Sequence, residues 1–313
     1  MRIALSTLAL LALLSSPAAA FGPHPPATTI FVDASNPATG TGTAENPFSS
    51  IQDAIDAATQ GDVVGVAAGT YTETLVLAPD VVVLGSGAAT TTLDSGGAAP
   101  AVEFADRATF AGFRVTGVTQ WGNAVQGGDV TDAVLRDNEI SGNEARAVAF
   151  GGSTGIIQRN RIAANPTFTG PPTHCPCDGV VLSRSAMSLI ENEIDGNDPN
   201  GNVRAVEITQ ATPSWPGPVR IERNEIVGRI WFSSVTAPPA GEHRVQGNLI
   251  LSGNGFTEAI NVAFSPGAGL VANNTIIGGG GIFLQGGSIA RIIGNGVAFG
   301  SDGIVGHTSG LEI

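Results

Sequence analysis

The sequence predicts an all-β fold, a parallel β-helix (solenoid) in which three short strands form each coil. The first observation is a motif, Asn-x-Ile or Asn-x-Val, that recurs every 21 to 32 residues, a spacing typical of solenoids. The second is that one apolar segment precedes each motif and two follow it. The third is a composition rich in glycine. The repeated residues are Asn138, Asn160, Asn192, Asn224, Asn248, Asn274 and Asn295.

Tight bends separate the three strands of each repeat, so equivalent strands of successive coils should stack in parallel about 4.8 Å apart. We expect each repeated Asn to lie at a bend, where it adopts an unusual backbone conformation and its amide bonds to the Asn of the next coil. The residues just before it alternate in charge and predict a ladder of ion pairs. They are Asp137, Arg159, Glu191 and Arg223.

Composition and charge exclude several classes of function. The chain has 43 Gly, 19 Pro and 42% hydrophobic residues but only 13% charged ones, which favours short strands and turns over long helices or disorder. A net charge of −13 argues against nucleic acid and anionic membranes as partners, because both need clustered cations. All 14 basic residues are arginine, which excludes a lysine base or Schiff base.

The amino terminus has the pattern of a secretory signal. Arg2 precedes an apolar run over 3–14, and small residues end at Ala20, which predicts cleavage before Phe21. The run is too short to span a bilayer. We therefore expect a signal peptide (1–20), a Pro-rich N-terminal segment (21–28) and a single β-helix domain (29–313), secreted to the extracellular space, the periplasm or the cell surface, with no membrane partner.

The segment 31–77, FVDASNPATGTGTAENPFSSIQDAIDAATQGDVVGVAAGTYTETLVL, resembles the opening of the pectin-lyase-like superfamily, notably secreted bacterial β-helix proteins of unassigned function. The resemblance implies a right-handed parallel β-helix whose amino-terminal edge is covered by a short capping α-helix. It also implies that a polysaccharide lies along an outer groove walled by long loops. The catalytic Asp motifs of pectin methylesterases and of polygalacturonases have no match here.

The residues agree with a capping helix over 49–59. Its apolar positions have helical spacing, Ser49 or Ser50 is the candidate N-cap, and Gly61 follows its end. The apolar positions are Ile51, Ala54, Ile55 and Ala58.

Long insertions between residues 165 and 243 flank the third strands of adjacent coils. Those strands align on the inward residues Val148, Val180, Val206, Ile230, Ile260 and Ile282. The alignment gives a first outward column of Arg146, Asp178, Arg204, Gly228, Glu258 and Gly280. A second column follows, with Ala149, Val181, Glu207, Trp231, Asn261 and Phe283. The predicted patch is Asp178, Arg204, Glu207, Trp231, Glu258 and Asn261.

This patch combines carboxylate, guanidinium and aromatic groups, which suits the binding and cleavage of sugars. In an enzyme, Glu207 or Asp178 would act as general acid or base, and Arg204 would hold a substrate carboxylate or its partner Asp. The substrate-binding candidates are Trp231, Trp215, Asn261 and Glu258. In the alternative interpretation, the charges form a structural ion ladder and Trp231 is an exposed aromatic residue.

The sequence indicates no certain cofactor. Calcium-dependent lyases of the superfamily use acidic clusters, so Ca²⁺ is an open alternative, but no compact acidic motif marks a metal site. Its candidate oxygen ligands are Asp178, Asp195, Asp198 and Glu207.

Cys175 and Cys177 flank Pro176, and in an oxidising compartment they most simply form a disulfide with each other. Such a bridge between residues two apart is strained. A zinc or copper site that includes the neighbouring His174 and Asp178 is one alternative, and two free thiols are the other.

The carboxyl end predicts a third strand over 303–308 and the first strand of a further coil over 309–313, without a capping segment. Because an open coil exposes strand edges, we expect self-association through this end, docking on another chain, or an incomplete reading frame.

Two functions follow from the sequence. The first is a secreted protein that interacts with, or cleaves as a lyase or hydrolase, an extracellular polysaccharide. The alternative is a non-catalytic surface or structural scaffold, or an adhesion protein. Fold analogy alone favours polysaccharide as the partner.

Overall fold

The computed structural model describes residues 27–36, 40–119, 121–163, 178–196, 204–209, 217–233, 235, 241–252, 258–263, 269–278, 280–284, 290–298 and 304–306. Several sequence-based predictions fall outside these residues. They are the signal peptide 1–20, most of the segment 21–28, Cys175 and Cys177, Trp215, Asp198 and the last strand over 309–313.

The described chain consists of one helix and many short strands. To residue 128 the elements are β1 (Thr29–Val32), α1 (Ile51–Ala57), β2 (Val63–Val66), β3 (Gly69–Thr72), β4 (Leu75–Val76), β5 (Val82–Gly85), β6 (Thr91–Gly97), β7 (Val102–Glu103), β8 (Thr109–Ala111), β9 (Arg114–Val118) and β10 (Asn123–Gly128). They continue as β11 (Ala133–Arg136), β12 (Glu139–Ile140), β13 (Arg146–Gly151), β14 (Thr154–Gln158), β15 (Arg161–Ala163), β16 (Val180–Ser183), β17 (Ala186–Ile190), β18 (Glu193–Asp195), β19 (Val206–Thr209) and β20 (Arg220–Glu222). The last are β21 (Glu225–Val227), β22 (Ile230–Ser233), β23 (His243–Gln246), β24 (Leu249–Ser252), β25 (Glu258–Val262), β26 (Gly269–Ala272), β27 (Thr275–Gly278), β28 (Gly281–Leu284), β29 (Ala290–Ile293), β30 (Gly296–Ala298) and β31 (Ile304–Gly306).

These strands form three parallel sheets, and the chain visits each sheet once per coil. Sheet A has 11 strands in the order β1-β2-β5-β8-β11-β14-β17-β20-β23-β26-β29. Sheet B has 10 strands, β3-β6-β9-β12-β15-β18-β21-β24-β27-β30, and sheet C has 10, β4-β7-β10-β13-β16-β19-β22-β25-β28-β31. The predicted parallel β-helix is confirmed.

Apolar side chains point inward from all three sheets and form the core. The predicted inward column of sheet C is in register from Val148 to Ile282, and its members are buried. In sheet B the Ile two residues after each Asn from Asn138 to Asn274 forms a second buried column, for example Ile194 on Ile226. Burying one such side chain stabilises the fold by about 1.5–3 kcal/mol, which explains why the repeat keeps an aliphatic residue there.

The repeated Asn side chains form a buried ladder at the turn between sheets A and B, which we call the Asn turn. The Nδ2 of Asn160 donates to Oδ1 of Asn192 (3.1 Å) and to the carbonyl of Leu135 (2.9 Å), and the same Oδ1 accepts from the backbone N–H of Asn160 (2.9 Å). The predicted amide ladder is therefore present. Each amide pairs two coils and also bonds to backbone groups at the turn.

The expectation that Asn itself has the unusual backbone conformation is wrong. The left-handed residue is the one before it, for example Arg159 (φ 52°) and Glu191 (φ 57°). Placing the bend one residue earlier leaves Asn free to point inward and bond along the stack. The preceding residue points outward, and there the predicted charge alternation forms ion pairs, with 2.7 Å between Arg159 Nε and Asp137 Oδ1.

Helix α1 packs on the first coil. Ser50 is its N-cap, and Ile51, Ala54 and Ile55 are buried against strands that include β1 and β2. The carboxylate of Glu73 accepts from the backbone N–H groups of Ile51 and Gln52 (both 2.9 Å), which satisfies two donors at the helix start. The helix has its cap at Ala58 and is shorter than the predicted 49–59.

Candidate functional site

A continuous column of side chains runs along the outer face of sheet C, parallel to the axis of the coils. Strand register aligns its members one per coil. We call this column the sheet C strip, and it comprises Glu103, Gln126, Ala149, Val181, Glu207 and Trp231. The second column predicted from the sequence is thus confirmed in register from Ala149 to Trp231.

Two carboxylates meet at the carboxyl-terminal half of the strip. Asp178 precedes β16 by two residues and Glu207 lies in β19, on the next coil, and both side chains are only 13% exposed. Arg204 joins them, because its backbone N–H donates to Asp178 Oδ1 (3.2 Å) and its guanidinium forms an ion pair with Glu207. Nε of Arg146 lies 3.8 Å from the other oxygen of Asp178.

Burial raises the pKa of the Glu207 carboxyl above its ordinary value. The negative charge of Asp178 raises it further, and a hydrogen bond between the two carboxyl groups acts in the same direction, while the cations Arg204 and Arg146 oppose the shift. Glu207 therefore keeps its proton to a higher pH than an exposed Glu. That is the property of a general acid.

Trp231 lies one coil beyond Glu207, where two guanidinium groups contact its ring. The guanidinium carbon of Arg204 is 5.1 Å from the ring centroid, and that of Arg229 is 5.0 Å away. Arg229 also lies 3.8 Å from a carboxylate oxygen of Glu258. These cation–π contacts fix the indole at the surface.

The sequence does not match any protein-family model or any curated protein. Solved structures do match the coordinates. Polygalacturonase from Erwinia carotovora subspecies carotovora shares 13% identity with a TM-score of 0.54, over 95% of this chain and 99% of that one. Alginate lyase from a Paenibacillus species shares 14% identity with a TM-score of 0.50, over 88% of this chain and 99% of that one. The chain has the pectin-lyase-like fold, a right-handed parallel β-helix.

On this pectin-lyase-like fold, four of the predicted site residues come together at the outer face of sheet C: Asp178, Arg204, Glu207 and Trp231. Glu258 joins them through Arg229. Its strand is irregular between Glu258 and Ile260, so Glu258 pairs with Gly281 and not with the predicted Gly280.

Asn261 differs from the prediction of an exposed binding residue. It keeps the predicted register between Trp231 and Phe283, but it is only 1% exposed. Its short side chain lies between two aromatic residues of the neighbouring coils, which explains its burial. Asn261 Oδ1 has no hydrogen-bond partner among the described residues.

Sequence reasoning missed the amino-terminal half of the strip. Asn123 Nδ2 donates to Gln126 Oε1 (2.8 Å), and Gln126 Nε2 donates to Glu103 Oε2 (2.8 Å). Trp121, two residues before Asn123, is 62% exposed. The alignment started at the first motif Asn, Asn138, and so omitted these coils. Extending the inward column from Val148 to Val125 and Val102 would have found them.

The acidic residues considered for Ca²⁺ do not all converge. Asp178 and Glu207 lie on sheet C, whereas Asp195 belongs to β18 of sheet B. Within the described residues, no group of three or more His, Cys, Asp or Glu side chains could hold a metal ion. The same part of the chain contains no helix with the length and apolarity that a membrane span requires.

Proposed function

We propose that this protein is secreted, binds an extracellular polysaccharide along the sheet C strip and hydrolyses its glycosidic bonds. The observation that carries the proposal is the carboxyl pair Asp178 and Glu207, largely shielded from water and close to Trp231 at the surface. Glu207 can supply the general acid for cleavage of a glycosidic bond, with Asp178 as its charged neighbour. The ring of Trp231 can hold the sugar beside them. Solved structures of the same fold include a polygalacturonase and an alginate lyase, which supports a polysaccharide as partner.

Glu207 is the general acid. It donates its proton to the glycosidic oxygen as the bond between that oxygen and the anomeric carbon breaks. Asp178 is too close to Glu207 to leave room for a water between them, so its role is to hold the proton on Glu207. Arg204 is a positioning residue, because its guanidinium already pairs with Glu207.

The second carboxylate is Glu258. Its strand lies two coils beyond that of Glu207, about 10 Å along the axis at roughly 4.8 Å per coil, and Trp231 lies on the coil between them. Glu258 also precedes Asn261, the residue in register with Trp231, by three positions. Inverting hydrolases separate their carboxyl groups by about 6.5–9.5 Å to admit a water, so the two side chains would have to reach towards each other across Trp231. Glu258 would take a proton from that water as its oxygen bonds to the anomeric carbon.

The decisive experiment is release of reducing ends from a panel of polysaccharides by the mature protein and by Glu207→Gln. We expect the variant to lose at least about a hundredfold in rate. Glu193→Gln is the matched control, because Glu193 is an exposed, ion-paired residue of sheet B. The proposal fails if no polymer is cleaved, or if Glu207→Gln is as active as the control.

Secretion has its own test. The protein, expressed in a bacterium with its full sequence, should be recovered outside the cytoplasm with Phe21 as its first residue by N-terminal sequencing. Recovery of the uncleaved chain in the cytoplasm would contradict export.

The alternative function is a non-catalytic scaffold or adhesin. It is favoured by the fact that the arginines near the carboxyl pair are already neutralised, as Arg146 is by Asp178 and Arg229 by Glu258. The same kind of pairing lines the outside of the Asn turn, where the ion pairs are structural. In that case glycans would bind without cleavage, or would not bind at all.

A further inference from the structure

The charges around the sheet C strip cancel locally. Three guanidinium groups lie beside it, and each has a carboxylate within 4 Å: Arg146 with Asp178, Arg204 with Glu207, and Arg229 with Glu258. An arginine that recognises a sugar carboxylate presents its planar fork to the ligand. Arg204 pairs directly with Glu207, whereas Arg146 and Arg229 each lie 3.8 Å from their acids, so the charge of all three is balanced by the protein's own carboxylates. A charged sugar would have to compete with those acids.

The amino-terminal half of the strip is built for hydroxyl groups. Asn123, Gln126 and Glu103 form a chain of hydrogen bonds in which the amides point towards the carboxylate. Such a chain offers acceptors and donors side by side, which suits neutral sugars. A polyuronate bound there would place its carboxylates against Glu103. Arg184 does not offset this repulsion, because it follows β16 at the opposite edge of the sheet, in the turn towards sheet A.

Between the Asn123–Gln126–Glu103 chain and the carboxyl pair, the surface of the strip is apolar. Ala149 and Val181 occupy adjacent coils between Gln126 and Glu207. The C–H face of a pyranose ring packs on such a surface. Successive coils are about 4.8 Å apart, close to the length of one sugar unit in an extended chain, so an extended chain along the axis meets one coil with each sugar.

Trp121 lies near the far end of this path, on the coil next to that of Glu103. It precedes β10 at the same edge of sheet C where Asp178 and Arg204 precede their strands. Four coils separate it from Trp231, which corresponds to about 19 Å. A ring that is 62% exposed beside a polar cluster is a platform on which a sugar can stack.

We propose that the sheet C strip takes an uncharged glycan along the axis of the coils, and that Trp121 binds a sugar on the coil of Gln126, three coils before Glu207. The inference rests on the proposed polysaccharide site and adds the substrate class and the extent of the site. In this proposal the residues of the amino-terminal half of the strip bind the glycan and take no part in cleavage of the glycosidic bond. They are Trp121, Asn123, Gln126 and Glu103.

Calorimetric titration of Glu207→Gln, which keeps the ligand intact, tests the substrate class. Neutral gluco-, manno- and xylo-oligosaccharides are compared with oligogalacturonates and oligomannuronates of equal length. We expect at least one neutral series to bind and its affinity to be unchanged by added NaCl, because no charge is neutralised. Binding of uronates alone, weakened by salt, overturns this inference and leaves the proposed function standing. Absence of all binding overturns the proposed function itself.

Trp121→Ala tests the extent of the site. In the same Glu207→Gln background, it should weaken binding of a long oligosaccharide, of about six sugars at one per coil, by about tenfold, with little effect on a three-sugar ligand. Phe31→Ala removes another exposed aromatic ring, on sheet A, and should change neither. Equal affinity of Trp121→Ala and Phe31→Ala for the long ligand overturns the assignment of Trp121.

Discussion

The Asn turn and the sheet C strip are both stacks of side chains in register, yet they differ in what each coil contributes. In the Asn turn the same residue returns coil after coil, from Asn138 to Asn295. In the strip each coil supplies a different residue, from Glu103 to Trp231. A repeated residue serves the stacking itself. Where the strands stack regularly but each coil contributes a different side chain, the column can bring together the different groups that a binding site needs.

The two regions also treat their charges differently. The ion pair of Arg159 and Asp137 at the Asn turn has side chains 44% and 35% exposed, whereas Glu207 and Asp178 are each 13% exposed. Water screens the first pair and weakens it. Burial of the second shifts a pKa in a way useful for chemistry. Charge at the turn is therefore exposed and screened, whereas charge at the strip is buried, as the proposed function requires.

The largest effect should come from breaking the Asn ladder. Asn192→Ala removes the acceptor of the buried N–H of Asn160 and the donor to the carbonyl of Ile157. We expect a loss of about 3 kcal/mol in the free energy of unfolding, measured by urea denaturation. Asn295→Ala at the last coil is the control and should cost less, because Asn295 is only half-buried. Equal losses would contradict the role given to burial.

Trp231→Ala should act on the strip alone. Without the ring that Arg204 and Arg229 contact, affinity for a bound oligosaccharide should fall about tenfold, measured by calorimetric titration. The free energy of unfolding should change by less than that of Asn192→Ala, since the indole lies at the surface. If Trp231→Ala lowered the free energy of unfolding but left the affinity for the oligosaccharide unchanged, Trp231 would be a structural residue and not a binding residue.

The Asn turn was predictable from the sequence because its residues repeat, whereas the sheet C strip was predictable only in part because its residues vary. The Asn motif, its Ile partner and the inward column of sheet C repeat, so periodicity alone predicted the fold and the register. The register of Asn261 was predicted correctly but its exposure was not. That exposure depends on the size of Trp231 and Phe283 beside it, and the alternation of residues along a strand carries no such information. Glu103 and Gln126 were missed because their coils lack the motif Asn.

The pH dependence of stability should have opposite signs in the two regions. Burial raises the pKa of Glu207 in the fold, so its contribution is fully present below the ordinary pKa of a Glu, about 4.3, and is lost as the pH rises through the raised pKa. A hydrogen bond from Arg159 lowers the pKa of Asp137, so its contribution is present above about pH 4 and is lost as the pH falls.

Denaturation at several pH values measures these signs as the difference between the protein and each variant. The protein's stability relative to Glu207→Gln should decline as the pH rises above about 4.3, the ordinary pKa of a Glu. Relative to Asp137→Asn it should decline by less than about 1 kcal/mol below pH 4, because the pair is partly exposed. Parallel pH profiles would show that the two carboxylates have similar surroundings, against the comparison.

The smallest effect should come from Arg159→Ala at the Asn turn. Its ion pair with Asp137 is short, at 2.7 Å, but exposed, and such pairs contribute about 0–1 kcal/mol. Arg159 also has φ of 52°, a conformation that Arg and Ala both adopt at a cost, so the substitution leaves the backbone strain unchanged. Arg159→Gly removes the same pair and relieves that strain. Denaturation should therefore rank Arg159→Gly at or above Arg159→Ala in stability, and the reverse order would contradict backbone strain at Arg159. A loss of well over about 1 kcal/mol in both variants would assign the turn's stability to charge and not to the buried amides.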